Sequence, residues 1–427
     1  MKVLEIKKAL SGEISVSADK SISHRAVMLG SLARGKTVIH NLLLSEDVKA
    51  TMSAFKALGV KMSLIGNTLE IEGSDFSLSA PDSALDLGNS GTTTRLIMGI
   101  LASQNFEVRL IGDESLSKRP MNRVAIPLTL MGADIRAQGI TATLPVTIHG
   151  GALHPLNFDI PVASAQVKTA LIFAGLRAQG KSRFVEKMKT RDHTEKMLPL
   201  FGGKVEVNNL EIQVSGPQNL VGTSLTVAGD FSSAAFWIVA ALIIPDSDIL
   251  LKNIGINYGR TGLLDVVTAM GAEVELLNLD EKQETADIHV KYTEDLHATE
   301  ISGELIPRCI DELPILSLLA TQVKGETVIK DAKELRFKES DRISSIANLL
   351  SKMGAQISTR EDGMIILGKA NLTGIEEIEL ANDHRLVMTA IIASLVAKNG
   401  SNFPENIKAI VSTSYPDFFK DLELLCH

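Results

Sequence analysis

Gly30-Ser31-Leu32-Ala33-Arg34-Gly35-Lys36-Thr37 matches the nucleotide phosphate-loop pattern G-x-x-x-x-G-K-[ST] letter for letter. A true phosphate loop follows a strand and opens a helix, so that the new helix's amides meet the phosphate. Here the order is reversed. An apolar, helix-spaced stretch from Ser21 to Arg34 comes first, and the β-branched run Thr37-Val38-Ile39-His40 comes after. The same junction returns as Gly180-Lys181-Ser182 and Gly325-Glu326-Thr327. The stretch therefore reads as a helix end, a glycine and a strand start, and its recurrence makes the chain a repeat protein rather than a nucleotide-binding one.

Two interleaved series carry the repeat. In the first, amphipathic stretches close on an aliphatic-Gly signature at Gly59, Gly132, Gly202, Gly271 and Gly354, spaced 73, 70, 69 and 83 positions apart. Each precedes strand-like alternation such as Val205-Glu206-Val207, and glycine there suits the left-handed residue that ends a helix. In the second, helices apolar nearly all round open at Ser21, Asn89, Ser164, Asp230, Asp311 and Asp383, residue types that cap a helix's first amides. Six units of about 70 residues follow, each with a buried helix, an amphipathic helix and short strands. The fold class is α/β, with three units in each of two domains. The expected domains are 19–228, and 1–18 joined to 229–427.

Composition limits the function. With 45% hydrophobic and 22% charged residues among 427, the chain is globular and long enough for two domains. A net charge of −8 argues against nucleic acid and membrane surfaces as partners, so any anion site is local. Cys309 and Cys426 lie far apart, which points to free thiols, and no metal-binding His or Cys spacing occurs. The start Met1-Lys2-Val3-Leu4-Glu5-Ile6 lacks a signal-peptide block, and the apolar run Ala234–Ile244 is shorter than the ~20 residues that span a bilayer. A cytoplasmic location is expected.

Cations recur at the helix starts of this acidic chain. Lys20 and Arg25 bracket Ser21-Ile22-Ser23, Arg95 follows Asn89-Ser90-Gly91-Thr92, and Lys118 to Arg123 opens an amphipathic helix. Arg336-Phe337-Lys338-Glu339-Ser340-Asp341-Arg342 and Asp383-His384-Arg385 repeat the arrangement. Helix-start amides and the fork of an arginine both favour anions, so the series suggests a cleft between domains that receives small polyanions. Asp311 reads first as a cap and otherwise as an acid/base group, Glu339 equally as an ion-pair partner or an acid/base group, and His384 first as a cap neighbour and otherwise as a catalyst.

The stretches "DKSISHRA", "LGNSGTTTRL", "GDESLSKRPMNRV", "SAQVKTAL", "DELPIL", "LRFKESDRI" and "DHRLVM" resemble, in order and over essentially the whole chain, the motifs of the 5-enolpyruvylshikimate-3-phosphate synthase family, in its class II form. The resemblance implies two domains of three βαβαββ units each, an inside-out α/β barrel known as the enolpyruvyl transferase fold. It implies transfer of enolpyruvyl from phosphoenolpyruvate to the 5-hydroxyl of shikimate 3-phosphate in the shikimate pathway, by a monomer without metal or other cofactor. By matching motif, Asp311, Glu339 and Lys20 would be catalytic. Lys20, Ser21, Arg25, Ser164, Gln166, Asp311 and Lys338 would bind shikimate 3-phosphate. Lys20, Gly91, Arg119, Gln166, Arg342 and Arg385 would bind phosphoenolpyruvate, and Arg191 would be a further candidate contact to shikimate 3-phosphate. In the better-known branch of the family a lysine precedes a C-terminal T-F-P-D motif, and the corresponding run Val411–Asp417 has none. The sister enzyme acting on UDP-N-acetylglucosamine carries a reactive cysteine in its second unit, and Gly112–Arg123 has none. A non-catalytic anion-binding repeat protein is the rival outside enzymes.

Overall fold

The computed structural model describes residues 9–378 and 380–426. They divide into two compact units, one of residues 20–227 and the other of residues 9–19 with 228–426.

Among the described residues, five four-stranded sheets share one order. The repeat over residues 157–216 shows how each is built. Strand Asn157–Asp159 leads into the buried helix Ala165–Gly175, which returns to strand Gly180–Val185, parallel to the first. The helical segment 193–201 then leads to the hairpin Glu206–Asn208 and Glu211–Gly216, whose second strand pairs antiparallel with Gly180–Val185. The strand order across the sheet is thus first, second, fourth, third. The sixth buried helix, His384–Val396, is followed by the short helices Ile407–Ser412 and Phe418–Leu425, and among the described residues no strand follows Leu367.

Two first strands are exchanged. Ser11–Ile14 precedes the helix Lys20–Leu32, yet pairs parallel with Asp248–Gly255 in the other unit's sheet. Ser224–Thr226 precedes the helix Phe231–Ile243, yet pairs parallel with Arg34–His40. Ala18 and Gly229 meet in an antiparallel bridge, and Asp19 N donates to Ala228 O at 2.8 Å, so the two crossings lie side by side.

The local signals explain the elements. Gly59, Gly132, Gly202, Gly271 and Gly354 all take positive φ, from +75° to +112°, where side chains are strained, and each ends a helix before a strand. The phosphate-loop look-alike divides between the helix ending at Leu32 and the strand Arg34–His40, where Gly35 at φ +89° pairs with Gly73. Apolar content on every side buries the repeat's second helix series: no residue of Phe231–Ile243 is exposed. Within residues 20–227, Gly91–Leu101 packs backbone to backbone on Ala165–Gly175. A Cβ at Gly99 would lie 2.1 Å from Ala170 O, so only glycine fits.

The caps differ from the sequence reading at three starts: the first helix begins at Lys20, so Ser21 lies inside its first turn and does not open it. Ser90, not Asn89, caps Gly91–Leu101, accepting from Thr93 N at 3.2 Å. Asp311 is not at the cap position: the helix starts at Leu313 after Glu312, which makes no side-chain cap bond. Pro314 lies in that first turn and needs no amide partner, which removes part of the demand for a cap. Ser164, Asp230 and Asp383 do cap their helices.

Candidate active site

In the unit of residues 20–227 the site begins at three buried helix starts. Lys20 opens its helix and pairs with Asp47 at 3.0 Å. Asp47 stands in the first turn of Glu46–Ala57, where an acid is ordinary, so nothing in the sequence singled it out. Behind Lys20, His24 shares a 2.7 Å hydrogen bond with Thr51, which bonds Thr93 at 2.7 Å. Burial, with Lys20 and Arg25 nearby, holds the His24 pKa well below the usual histidine value, so this chain of bonds is neutral.

A second group surrounds Gly91. Arg95 Nη1 donates to Gln166 Oε1 at 2.8 Å, and Gln166 Nε2 donates to Thr92 Oγ1 at 3.0 Å. Arg119 Nη2 donates to Asn89 Oδ1 at 2.6 Å. A Cβ at Gly91 would stand 3.0 Å from Arg119 Nη1 and 3.1 Å from Arg95 Nη1, so the missing side chain lets both guanidinium groups approach the helix start. Arg25 is buried, donating to Thr194 Oγ1 at 2.8 Å, Thr169 Oγ1 at 2.9 Å and Ser21 O at 3.0 Å. Ser164 accepts from Val167 N, one position before Lys168 in its helix.

Lys168 was not anticipated. Buried within the helix, it pairs with Glu186 at 3.1 Å and Glu195 at 2.7 Å. Glu186 Oε1 accepts from Thr190 N at 3.2 Å, which ties down the segment carrying Arg191. Burial pushes the Glu186 carboxyl above its ordinary value. The only sequence signal was a lysine in an otherwise apolar helix.

The other unit gathers its charges around Asp311. Asp311 Oδ1 accepts from Lys338 Nζ and Arg342 Nη1, both at 3.3 Å, and Oδ2 lies 3.6 Å from Arg385 Nη2. Arg342 also donates from Nη2 to Glu339 Oε2 at 2.6 Å. Its Nε and Nη2 grip Asp383 as a fork, at 2.9 and 3.2 Å. These carboxylates raise the Arg342 pKa above an already high value despite full burial, so the guanidinium stays charged. Asp383 caps its helix through Arg385 N at 3.0 Å and accepts from Ser340 Oγ at 3.0 Å.

The two sets differ in balance. Lys338, Arg342 and Arg385 face Asp311, Glu339 and Asp383, three charges against three. Lys20 pairs with Asp47, while Arg25, Arg95 and Arg119 donate to the neutral oxygens of Thr194, Gln166 and Asn89. The first set therefore suits proton transfer, with charge placed on both sides of a carboxylate. The second suits anion capture.

Two cations from the sequence groups lie elsewhere. Lys118 pairs with exposed Glu114 at 2.6 Å, and Arg336 with Asp341 at 2.6 Å and Glu361 O at 2.7 Å. At the lysine-free stretch, Tyr415 turns inward, accepting from Trp237 Nε1 at 2.8 Å and donating to Asp421 Oδ2 at 2.6 Å.

Repeated α/β units that bury their helices and present cations and carboxylates at the helix starts suit the binding of small anions. The enolpyruvyl transferase NikO from Streptomyces tendae shares the fold, with TM-score 0.79 at 18% identity over 98% of this chain and 95% of that one. The model of the EPSP synthase (3-phosphoshikimate 1-carboxyvinyltransferase) family matches residues 4–422. The 3-phosphoshikimate 1-carboxyvinyltransferase of Lactococcus lactis subsp. lactis is 52% identical over 428 residues, covering 100% of this chain and 99% of its own. That of Streptococcus gordonii is 51% identical, covering 100% of both. A solved EPSP synthase from Acinetobacter baumannii superposes with TM-score 0.85 at 40% identity, over 98% of this chain and 96% of that one. This chain belongs to the EPSP synthase family.

Proposed function

We propose that the chain transfers the enolpyruvyl group of phosphoenolpyruvate to the 5-hydroxyl of shikimate 3-phosphate and releases phosphate. Within the family assignment, the observation that carries the mechanism is Asp311. It is a carboxylate released from capping and set among Lys338, Arg342 and Arg385.

In this reading Asp311 takes the proton of the 5-hydroxyl as its oxygen bonds to C2 of phosphoenolpyruvate. Glu339 supplies a proton to the methylene carbon, which becomes a methyl group in a tetrahedral intermediate. The intermediate then loses a methyl proton as the bond from C2 to the phosphate oxygen breaks, which restores the double bond and frees phosphate. Lys20, Gly91, Arg119, Gln166, Arg342 and Arg385 hold phosphoenolpyruvate. Lys20, Ser21, Arg25, Ser164, Gln166, Asp311 and Lys338 hold shikimate 3-phosphate, joined by Arg191. Fixed positive charge offsets the repulsion between two anions and stabilises charge that develops on the departing phosphate. Asp383 supports the step by fixing the Arg342 guanidinium before substrate arrives. The protein works as a cytoplasmic monomer; the free thiols Cys309 and Cys426 suit a reducing compartment.

The test is phosphate release by the purified protein. Release should require both phosphoenolpyruvate and shikimate 3-phosphate, with UDP-N-acetylglucosamine failing as acceptor. Folded protein that releases no phosphate with both substrates would overturn the assignment.

A further inference from the structure

Asp311 and Glu312 are consecutive carboxylates, yet they serve different partners. Asp311 faces Lys338, Arg342 and Arg385. Glu312, 1% exposed, turns the other way and accepts from Ser232 Oγ. Ser232 in turn accepts from Arg260 Nη2. Arg260 is 2% exposed and also donates to Asp19 Oδ2 and Asp230 Oδ1, both at 2.7 Å. One guanidinium thereby joins the end of the first crossing, the cap of Phe231–Ile243 and, through one hydroxyl, the turn before Leu313–Gln322. None of these contacts was legible, since Arg260 stands alone in the loop Asn257-Tyr258-Gly259-Arg260-Thr261.

The cluster is poorly arranged for stability alone. Arg260 Nε and Glu312 Oε2 are buried without a hydrogen-bond partner among the described residues. A buried charge cluster with unmet polar atoms offsets little of its own desolvation. Its geometric effect is definite. The turn is tight, with Glu312 N donating to Cys309 O at 2.9 Å, so holding the Glu312 carboxylate fixes the backbone from which Asp311 projects. Rotation of that turn would put the wrong carboxylate before the three cations.

We infer that Arg260, acting through Ser232 and Glu312, is a positioning residue that orients the 309–312 turn so that Asp311 meets the substrate hydroxyl. The inference rests on the assignment of Asp311 as the base. Ser232→Ala removes the hydroxyl link while leaving the Arg260 pairs with Asp19 and Asp230, and Glu312→Gln weakens the same link without changing shape. In steady-state phosphate release, both variants should lose about tenfold or more in kcat, since small misplacements of reacting groups cost rate steeply. Their KM values for both substrates should stay within about twofold of the parent, because uniform binding is untouched. Arg260→Lys, which keeps the charge but not the fork, should fall between parent and Ser232→Ala. Two outcomes overturn the inference: kcat within twofold of the parent in Ser232→Ala and Glu312→Gln, or kcat loss no greater than the loss of folded protein by thermal melting. Asp311→Asn, measured alongside, separates the two ideas. Parent-like turnover in that variant defeats the base assignment, whereas its loss beside unaltered Ser232→Ala and Glu312→Gln defeats only the positioning role.

Discussion

Gly99→Ala tests how a helix contact in the core reaches the site. The added Cβ would lie 2.1 Å from Ala170 O and 2.7 Å from Ala170 C. An ordinary carbon–oxygen approach is about 3.3 Å, so the helices Gly91–Leu101 and Ala165–Gly175 must part by roughly 1.2 Å. The obstacle is backbone and cannot rotate away, which places the cost near 3 kcal/mol, the upper part of the overpacking range. Alanine's better helix propensity returns up to about 1 kcal/mol, so strain wins by about 2 kcal/mol. For a unit of this size that lowers the melting temperature by about 4–8 °C. The same displacement strains the 2.8 Å Arg95–Gln166 bond that joins the two helix starts, and misplacement on the order of 1 Å can cost about 100-fold in rate. Calorimetry with phosphate-release kinetics reads both effects. A variant that melts at or above the parent temperature with undiminished kcat/KM would refute the close-packing argument.

Asp311→Asn should lower kcat by about 10²–10⁴-fold, the usual share of a general base, without raising KM for phosphoenolpyruvate, because Lys338, Arg342 and Arg385 lose a competing anion; a loss under tenfold would contradict the assignment. Arg119→Lys gives up the planar fork beside Gly91 and should raise KM for phosphoenolpyruvate about tenfold, whereas an unchanged KM would remove Arg119 from the anion set. Burial pushes the Asp421 carboxyl up to about 6. The fold therefore prefers its protonated form, so this stabilisation is complete below about pH 4 and is lost as pH rises through about 6. Asp421→Asn should gain melting temperature relative to the parent between pH 5 and pH 8, and identical pH slopes would refute the linkage.

The sequence read most clearly where the physics is local. The five helix-ending glycines needed only a backbone sign, and each takes positive φ. The six buried helices followed from apolar content on every side, which no surface helix tolerates. The Gly30–Thr37 pattern was rejected on element order alone, and the strand Arg34–His40 agrees. Cations at the helix starts were legible as a series because the repeat aligned them.

Long-range pairing decided the rest. Which sheet receives Ser11–Ile14 or Ser224–Thr226 depends on partners more than 180 residues away, invisible to any window of sequence. Asp311 reads in the sequence first as a cap, and its place among Lys338, Arg342 and Arg385 is set by two other segments. Asp47, Lys168, Arg260 and Glu312 carried almost no signal, because a charge gains its meaning from what is buried beside it. Composition and period determined the units of this protein; tertiary packing chose the carboxylate that faces the cations.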